Sequence, residues 1–436
     1  MLRVERFLQS KFLLATMILL QTLWLTVTWQ TNNTITASYF LLLLLYALAV
    51  GGIMINMSPN LLSKLKNRAQ QWTKNEKLLL LSLCLLVLIA GVIHAKFRLT
   101  ASDELGGFEA AKIVAQEGVA AYFAGYGSLG WLGNQHPPLL PLINGLVMRV
   151  VGVDLLVTRV ISIFLSMGTV VITYLLGKKI YDRLTGLLAA LLFISFPIFL
   201  KIGAMANNDM LVTFFFALAL LLTWHLFDRP SYMLSLALGI VIGAGLLSKY
   251  TMIFIFPVLI SYIAIKRPPR QVIAYFTLAF LPLMAIFGAW LFYADQNNLL
   301  MAHISKLTSY IRLVAKTDYG KDVLVATLSS IVPSALGIYH LPILLLGGSQ
   351  LIRRRTQADL FILLWLASVF LPVLLTLPLS RYMLPAFPGL AILMARGLQS
   401  IPKAPLPATA LGLLYCAQAL VVYLLITWLF AISRGF

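Results

Sequence analysis

Apolar residues along this chain gather into runs of roughly 17–25, the length needed to cross a hydrocarbon core about 30 Å thick. A β-barrel would instead show short alternating segments. The runs fall at about 12–30, 38–55, 78–96, 155–177, 184–203, 209–227, 231–248, 251–265, 271–293, 333–350, 359–379, 383–399 and 407–431. They predict an all-α polytopic membrane protein with about 13 transmembrane helices. The segment 137–151, "PPLLPLINGLVMRVV", is left out of that count. It is short, opens on Pro137 and Pro138, and contains Gly145 and Arg149. A helix lying in the membrane interface fits it better than a crossing.

Charge tests that choice. With the N-terminus in the cytoplasm, 20 of the 33 Lys and Arg residues fall on the inner side, against five of the 14 acids. The inner set includes Lys64, Lys66, Lys178, Lys179, Arg183 and the triplet Arg353, Arg354 and Arg355. Counting 137–151 as a crossing would move Lys178, Lys179, Arg183 and every later inner loop outside, against the positive-inside rule. The formal net charge of +19 is therefore mostly a topology signal, and no nucleic-acid footprint is expected.

Composition agrees. The chain of 436 residues is 61% hydrophobic and 11% charged, where soluble domains average about 45–50% and about 25%. Cys84 and Cys416 both lie inside apolar runs and make neither a metal spacing nor a disulfide framework. The opening "MLRVERFLQSK" and its long apolar run read as a retained first helix rather than a cleaved signal. The expected division is two additional N-terminal helices in 1–60, a catalytic transmembrane module over 78–300, and a variable C-terminal module over 301–436. Two outer segments are long, about 97–154 and about 294–332. No inner loop carries a P-loop or other Gly-rich phosphate cradle.

The candidate chemistry gathers at the outer ends of the helices. Asp103 and Glu104, in "TASDELGG", follow directly on the third run. A carboxylate where the dielectric falls tends towards a raised pKa unless it finds a partner, and a raised pKa suits a general base. Asp209, in "AMANNDMLVTFFF", reads either as an N-cap or as a second acid facing the same cavity. Lys249, in "GAGLLSKYTMIF", either snorkels or pairs with Asp209 or a lipid phosphate. His136 precedes the double proline, which suits the first position of a helix, and a helix N-terminus favours an anion. Arg381 and Tyr382, in "LPLSRYMLPAFPGL", read as a phosphate or sugar contact or as an interfacial anchor. Arg159 falls one turn into an apolar run and reads first as structural.

Their order along the chain is more specific than any one of them. An acid pair follows a crossing, then "HPPL", then a helix with an early Arg, a cytoplasmic "GKKIYDRLTGLLAALL", an outer "NND", an outer "GLLSKY" and a late "RYMLP-FPGL". This resembles the GT-C class of membrane glycosyltransferases that use lipid-linked phosphosugars. The nearest groups are the protein O-mannosyltransferases, the lipid A aminoarabinose transferases and the RgtA/B/C/D-like transferases. The resemblance runs over roughly 78–398 and is strongest over 100–260. It departs from the pattern at Phe108, where an aromatic Tyr-Ala is common.

The resemblance implies transfer of a sugar from a polyprenyl or dolichyl monophosphate on the extracytoplasmic side of the plasma (inner) membrane. It makes Asp103 the base towards an acceptor hydroxyl, with Glu104 as the second letter of that motif. Asp209 matches the second acid and Lys249 its partner. His136 matches the His-Pro-Pro of the mannosyltransferases, and Arg381 and Tyr382 match a late motif near the donor phosphate. The outer cations His136, Lys249, Arg381 and Arg312 would meet charge on the leaving phosphate, giving single displacement with inversion. No cofactor is expected, and a divalent metal at Asp103, Glu104 and Asp209 is the less favoured alternative. The acceptor is open between lipid, glycan and protein. Two other classes compete: a lipid-linked sugar transporter or flippase, and an O-antigen-type ligase or polymerase with a lipid diphosphate donor. Transporters usually place polar groups and broken helices near the midplane, whereas most polar signals here lie at the outer face.

Overall fold

The computed structural model describes residues 75–97, 100–315, 335–337, 340–375 and 379–399. The predicted crossings at 12–30, 38–55 and 407–431 lie outside the described residues. Among the described residues every regular element is helical.

The order begins with α1 (Glu76–Phe97), followed by α2 (Ser102–Gln116), α3 (Val119–Ala124), a 3-10 turn (Tyr126–Ser128), α4 (Trp131–Gln135) and α5 (Leu139–Val151). Then come α6 (Leu155–Ile180), α7 (Arg183–Ser195), α8 (Pro197–Ile202), α9 (Asn208–Asp228) and α10 (Tyr232–Ser248). A 3-10 segment (Tyr250–Phe254) leads into α11 (Ile255–Lys266), α12 (Arg270–Leu278), α13 (Phe280–Gln296) and α14 (Leu300–Ala315). The last elements are α15 (Leu341–Arg354), α16 (Gln357–Leu375), a 3-10 segment (Ser380–Ala386) and α17 (Phe387–Gln399).

Four stretches are long and apolar enough to cross a membrane: Glu76–Lys96, Leu155–Ile180, Asn208–Asp228 and Arg270–Gln296. Shorter apolar helices accompany them, among them Arg183–Ser195, Tyr232–Ser248 and Gln357–Val373. The outer face of α1 confirms the solvent for which it is built. Leu78, Leu81, Leu85 and Ile89 recur at helical spacing and are all exposed, while Leu83 and Val87 point inward to the core. A stripe of that kind belongs against lipid.

Several predicted single crossings are broken, and proline explains the breaks. The run 184–203 divides at Phe196, which is extended (φ −68°, ψ 130°) because Pro197 follows it. The run 383–399 starts as a 3-10 segment containing Pro385. The run 271–293 divides at Ala279, three residues before Pro282, whose missing N–H leaves the ladder one bond short. The helix α5 has 13 residues, about 20 Å, too short to span. It begins at Leu139 with Pro138 as its N-cap, so the double proline stands just before the first turn rather than in it.

The core is assembled around α6, which packs on α1, α7 and α9. Helix α7 packs on α17, α9 on α10, and α10 on α13. Gly177 and Gly186 let α6 and α7 cross with their backbones touching, since a Cβ on Gly177 would sit 2.8 Å from the Gly186 Cα. Gly145 does the same for α2 and α5: its Cβ would fall 2.6 Å from the Ala111 carbonyl oxygen.

The helix ends sort into two poles. At one, Glu76 of α1 meets Lys178 (3.0 Å) and Arg183 (2.9 Å), Lys179 meets Asp228 (3.0 Å), and the Tyr181 hydroxyl donates to Asp359 (2.5 Å). These are the bases that the sequence assigns to the inner side. At the other pole the C-terminal ends of α1 and α10 meet the N-terminal ends of α6 and α9, and the acids and cations singled out in the sequence gather there.

Candidate active site

A cavity opens at that second pole. Asp103 and Gly107 reach it from α2, His136 and Leu140 from the segment entering α5, and Asn207, Asn208 and Asp209 from the start of α9. Lys249 comes from the end of α10 and Arg381 from the 3-10 segment before α17. Segments nearly 280 residues apart thus converge, as Arg381 Nη1 donates to Asp103 Oδ2.

Four charges form one cluster. Lys249 Nζ donates to Asp209 Oδ1, and Arg381 Nε stands 3.9 Å from Asp209 Oδ2. The Tyr382 ring lies under both cations, 4.1 Å from Lys249 Nζ and 5.6 Å from the Arg381 guanidinium carbon. Cation–π attraction strengthens as such a site loses water. Two acids and two cations leave the cluster neutral. Asp209 and Lys249 are buried, whereas Asp103 and Arg381 are about one-third exposed, at 33% and 30% of their side-chain surfaces. The exposed half of the cluster is the half that a substrate can reach.

Asp209 is not the helix cap. Asn207 is: its Oδ1 accepts from the Asp209 N–H (3.1 Å), and its Nδ2 donates to Asp209 Oδ2 (3.1 Å). Capping therefore leaves Asp209 free to serve Lys249, and of the two readings of Lys249 the pair with Asp209 is the one formed.

Glu104 goes elsewhere. Successive residues of a helix point about 100° apart, and here that rotation turns Glu104 away from the cavity that Asp103 lines. Glu104 is fully buried and takes two parallel bonds from Arg159, Nε to Oε1 and Nη2 to Oε2, both 2.9 Å. Its oxygens also accept from the Ala206 N–H (3.0 Å) and the Ala101 N–H (3.4 Å). Arg159 Nη1 donates to the Ala95 carbonyl (2.6 Å). One ion pair thus fastens the end of α1, the start of α2, α6 and the turn before α9. Glu104 stands in this clamp and not in the cavity, and Arg159 is structural as its position in the apolar run suggests. Among the described residues no three His, Cys, Asp or Glu side chains converge as a metal cluster would.

His136 lines the cavity, held by its backbone. The Tyr126 hydroxyl donates to the His136 carbonyl (2.5 Å) and the Tyr122 hydroxyl to the Pro138 carbonyl (3.4 Å). These tyrosines belong to an aromatic cluster with Trp290, whose ring centroid is 5.2 Å from that of Tyr126. Burial, with Lys249 and Arg381 close by, pushes the His136 imidazole down to about 3. That favours the neutral imidazole over the cation expected from the sequence. His303 is also structural: its Nε2 meets the Gly133 carbonyl (2.9 Å) and its Nδ1 the Tyr250 hydroxyl (2.8 Å). Arg312 lies in α14, but its side chain is outside the described residues. The sequence reading assigned no role to Asn207 or Asn208, although both stand in the "NND" it singled out.

A bundle of apolar helices, here with a charged cavity at one pole, is shared with known membrane proteins. Residues 135–290 match the family model for dolichyl-phosphate-mannose-protein mannosyltransferase. The structure of ArnT from Cupriavidus metallidurans bound to undecaprenyl phosphate superposes with a TM-score of 0.57 at 15% identity, over 77% of this chain and 62% of that one. The apo oligosaccharyltransferase of Archaeoglobus fulgidus superposes at 0.51 and 14% identity, over 80% and 56%. By fold the chain is similar to these membrane proteins, and in sequence it resembles the GT-C superfamily over part of its length.

The chain is similar to the undecaprenyl phosphate-alpha-4-amino-4-deoxy-L-arabinose arabinosyl transferases of Pseudomonas aeruginosa. It is 29% identical to that of strain UCBPP-PA14 over 57% of this chain and 47% of the relative. To that of strain LESB58 it is 31% identical over 32% of this chain and 27% of the relative. The chain spans about half or less of the length of these curated relatives.

Proposed function

We propose that the protein is an integral-membrane glycosyltransferase that moves a sugar from a polyprenyl monophosphate to an acceptor on the extracytoplasmic face of the plasma membrane. The observation that carries this is the cluster of Asp103, Arg381, Asp209 and Lys249 in one cavity at one pole. Further support comes from the similarity to transferases named for an undecaprenyl phosphate sugar, and from a fold relative solved with undecaprenyl phosphate bound.

The chemistry follows from the charges. A donor phosphate entering the cavity competes with Asp103 for Arg381 and adds its charge to the side of Lys249. Asp103, released from Arg381, takes the proton of an acceptor hydroxyl as that oxygen attacks the anomeric carbon. The bond from that carbon to the phosphate oxygen breaks on the opposite side, and the lipid phosphate leaves with the electron pair, its charge met by the two cations. One displacement gives inversion. Two fixed cations where charge develops supply what a metal would otherwise supply.

Mass spectrometry of glycolipids and glycoproteins tests the reading in cells lacking the gene and in cells complemented with either wild type or Asp103→Asn. A sugar increment should vanish on deletion, return with wild type and stay absent with the variant. Normal transfer by Asp103→Asn removes Asp103 from its role. A labelled lipid-sugar that crosses a liposome bilayer without any new glycosidic bond supports a flippase instead.

A further inference from the structure

Asn208 stands beside Asp209 in the cavity wall, at the first position of α9. Its neighbour Asn207 spends both ends of its carboxamide on Asp209 and on the cap. Asn208 does not. It is 7% exposed, and its Oδ1 is buried with no hydrogen-bond partner. A buried acceptor left unmade is costly, so a side chain of this kind needs a use.

The other buried orphans help to locate that use. Among the described residues they are Asn144 Oδ1, Thr223 Oγ1, Tyr262 Oη, Arg381 Nε and Arg396 Nε. Of the six residues, only Asn208 and Arg381 line the cavity, the first carrying an unsatisfied acceptor and the second an unsatisfied donor. An arginine N–H suits a phosphate oxygen. An uncharged amide oxygen does not suit a phosphate; it suits a hydroxyl or amino hydrogen. Asn208 lies next to the residue that holds Lys249, so a sugar bonded to a phosphate at the cations extends within its reach. Its position is fixed by the capped first turn of α9, which makes the acceptor pre-organised and selective.

We propose that Asn208 reads the sugar of the lipid-phosphate donor, its side-chain oxygen accepting a hydrogen bond from a sugar hydroxyl or amino group in the cavity. This rests on the glycosyltransferase reading above and adds to it a residue that senses the sugar and not the lipid phosphate.

Binding separates the two. Full-length wild type, Asn208→Leu and Asn208→Ala are placed in lipid nanodiscs. They are titrated with undecaprenyl phosphate alone, with its mannosyl ester and with its 4-amino-4-deoxy-L-arabinosyl ester. Wild type should bind at least one sugar-bearing probe about tenfold more tightly than the bare lipid, the size of one or two hydrogen bonds. Both variants should lose that preference while their affinity for undecaprenyl phosphate stays within about twofold of wild type. The proposal is overturned by a wild type without sugar preference, by variants that retain it, or by variants that lose all three probes in parallel. A wild type that binds none of the three overturns the donor class itself, a result distinct from the failure of Asn208 alone.

Discussion

The Glu104–Arg159 clamp and the Asp103–Arg381–Asp209–Lys249 cluster stand at the same pole, and both grow from one acidic dipeptide. The clamp is dry and complete: each Glu104 oxygen accepts from Arg159 and from a backbone N–H. The cluster is open and incomplete: Asp103 is one-third exposed, and Arg381 keeps a buried Nε without a hydrogen-bond partner. A carboxylate whose lone pairs are all taken has nothing left for a substrate, and its work is to hold helices together. One with a single exchangeable partner can change that partner, and change of partner is what a base and a leaving-group cation require. Coordination by the protein, rather than burial or charge alone, thus separates the structural acid from the one proposed as the base.

Asp103→Asn tests the open side. The amide keeps the shape but cannot take a proton, so the transfer rate should fall by about 10² to 10⁴, the usual weight of a general base. Thermal stability in detergent should stay near that of wild type, since Asp103 is the exposed partner of an exchangeable pair. A variant that unfolds with the rate loss would put Asp103 on the structural side of the comparison.

Glu104→Gln tests the closed side and should do the reverse. It leaves the buried Arg159 without a counter-charge, and breaking a buried pair in this way costs about 3–5 kcal/mol. The readout is a lowered unfolding midpoint together with weak expression. The fraction that folds should turn over at close to the wild-type rate, because no Glu104 oxygen reaches the cavity. A folded Glu104→Gln protein with normal stability and no activity would reverse the two roles.

Much of the cavity was legible beforehand, and for a simple reason. Alternating crossings force α1, α6, α9 and α10 to present particular ends to one side, so Asp103, Asp209 and Lys249 had to share a pole. What distinguishes Asp103 from Glu104 was not legible. Two adjacent helical residues differ by about 100° of rotation, and only packing fixes that rotation. The breaks at Phe196 and Ala279 followed from prolines visible in the sequence, but hydropathy runs straight through them. The lowered His136 pKa was not legible either, because it comes first from burial and then from Lys249 and Arg381, which the chain brings in from over 100 residues away. The Tyr122–Tyr126–Trp290 cluster that pins His136 left no mark in the sequence that separates it from ordinary core aromatics.

His136 gives the next smaller effect, through pH. Folded, the imidazole stays neutral down to about 3; unfolded, it takes a proton near 6.5. Between those values the unfolded chain binds more protons, so stability is fully present above about pH 6.5 and is lost as pH falls below it. At pH 5 the loss should reach about 1–2 kcal/mol. Unfolding midpoints at pH 7.5 and pH 5 measure it, and His136→Gln should show a smaller drop between the two than wild type. An equal drop would assign the acid sensitivity to other groups.

The smallest effect supplies the control that the comparison needs. Lys112 and Glu109 sit three residues apart on the exposed face of α2, and their ion pair is 2.9 Å long, the same length as the Arg159–Glu104 pair. Length and chemistry are matched to within the difference between Lys and Arg, and exposure is not: the Glu109 side chain is 56% exposed, the Glu104 side chain 0%. Water screens the exposed pair and solvates either partner when the other is removed. Glu109→Gln should therefore shift stability by less than about 0.5 kcal/mol, read as a change in midpoint near the limit of measurement. If it costs as much as Glu104→Gln, the absence of water is not what gives the clamp its strength. A shift close to zero leaves desolvation as the cause of the clamp's strength.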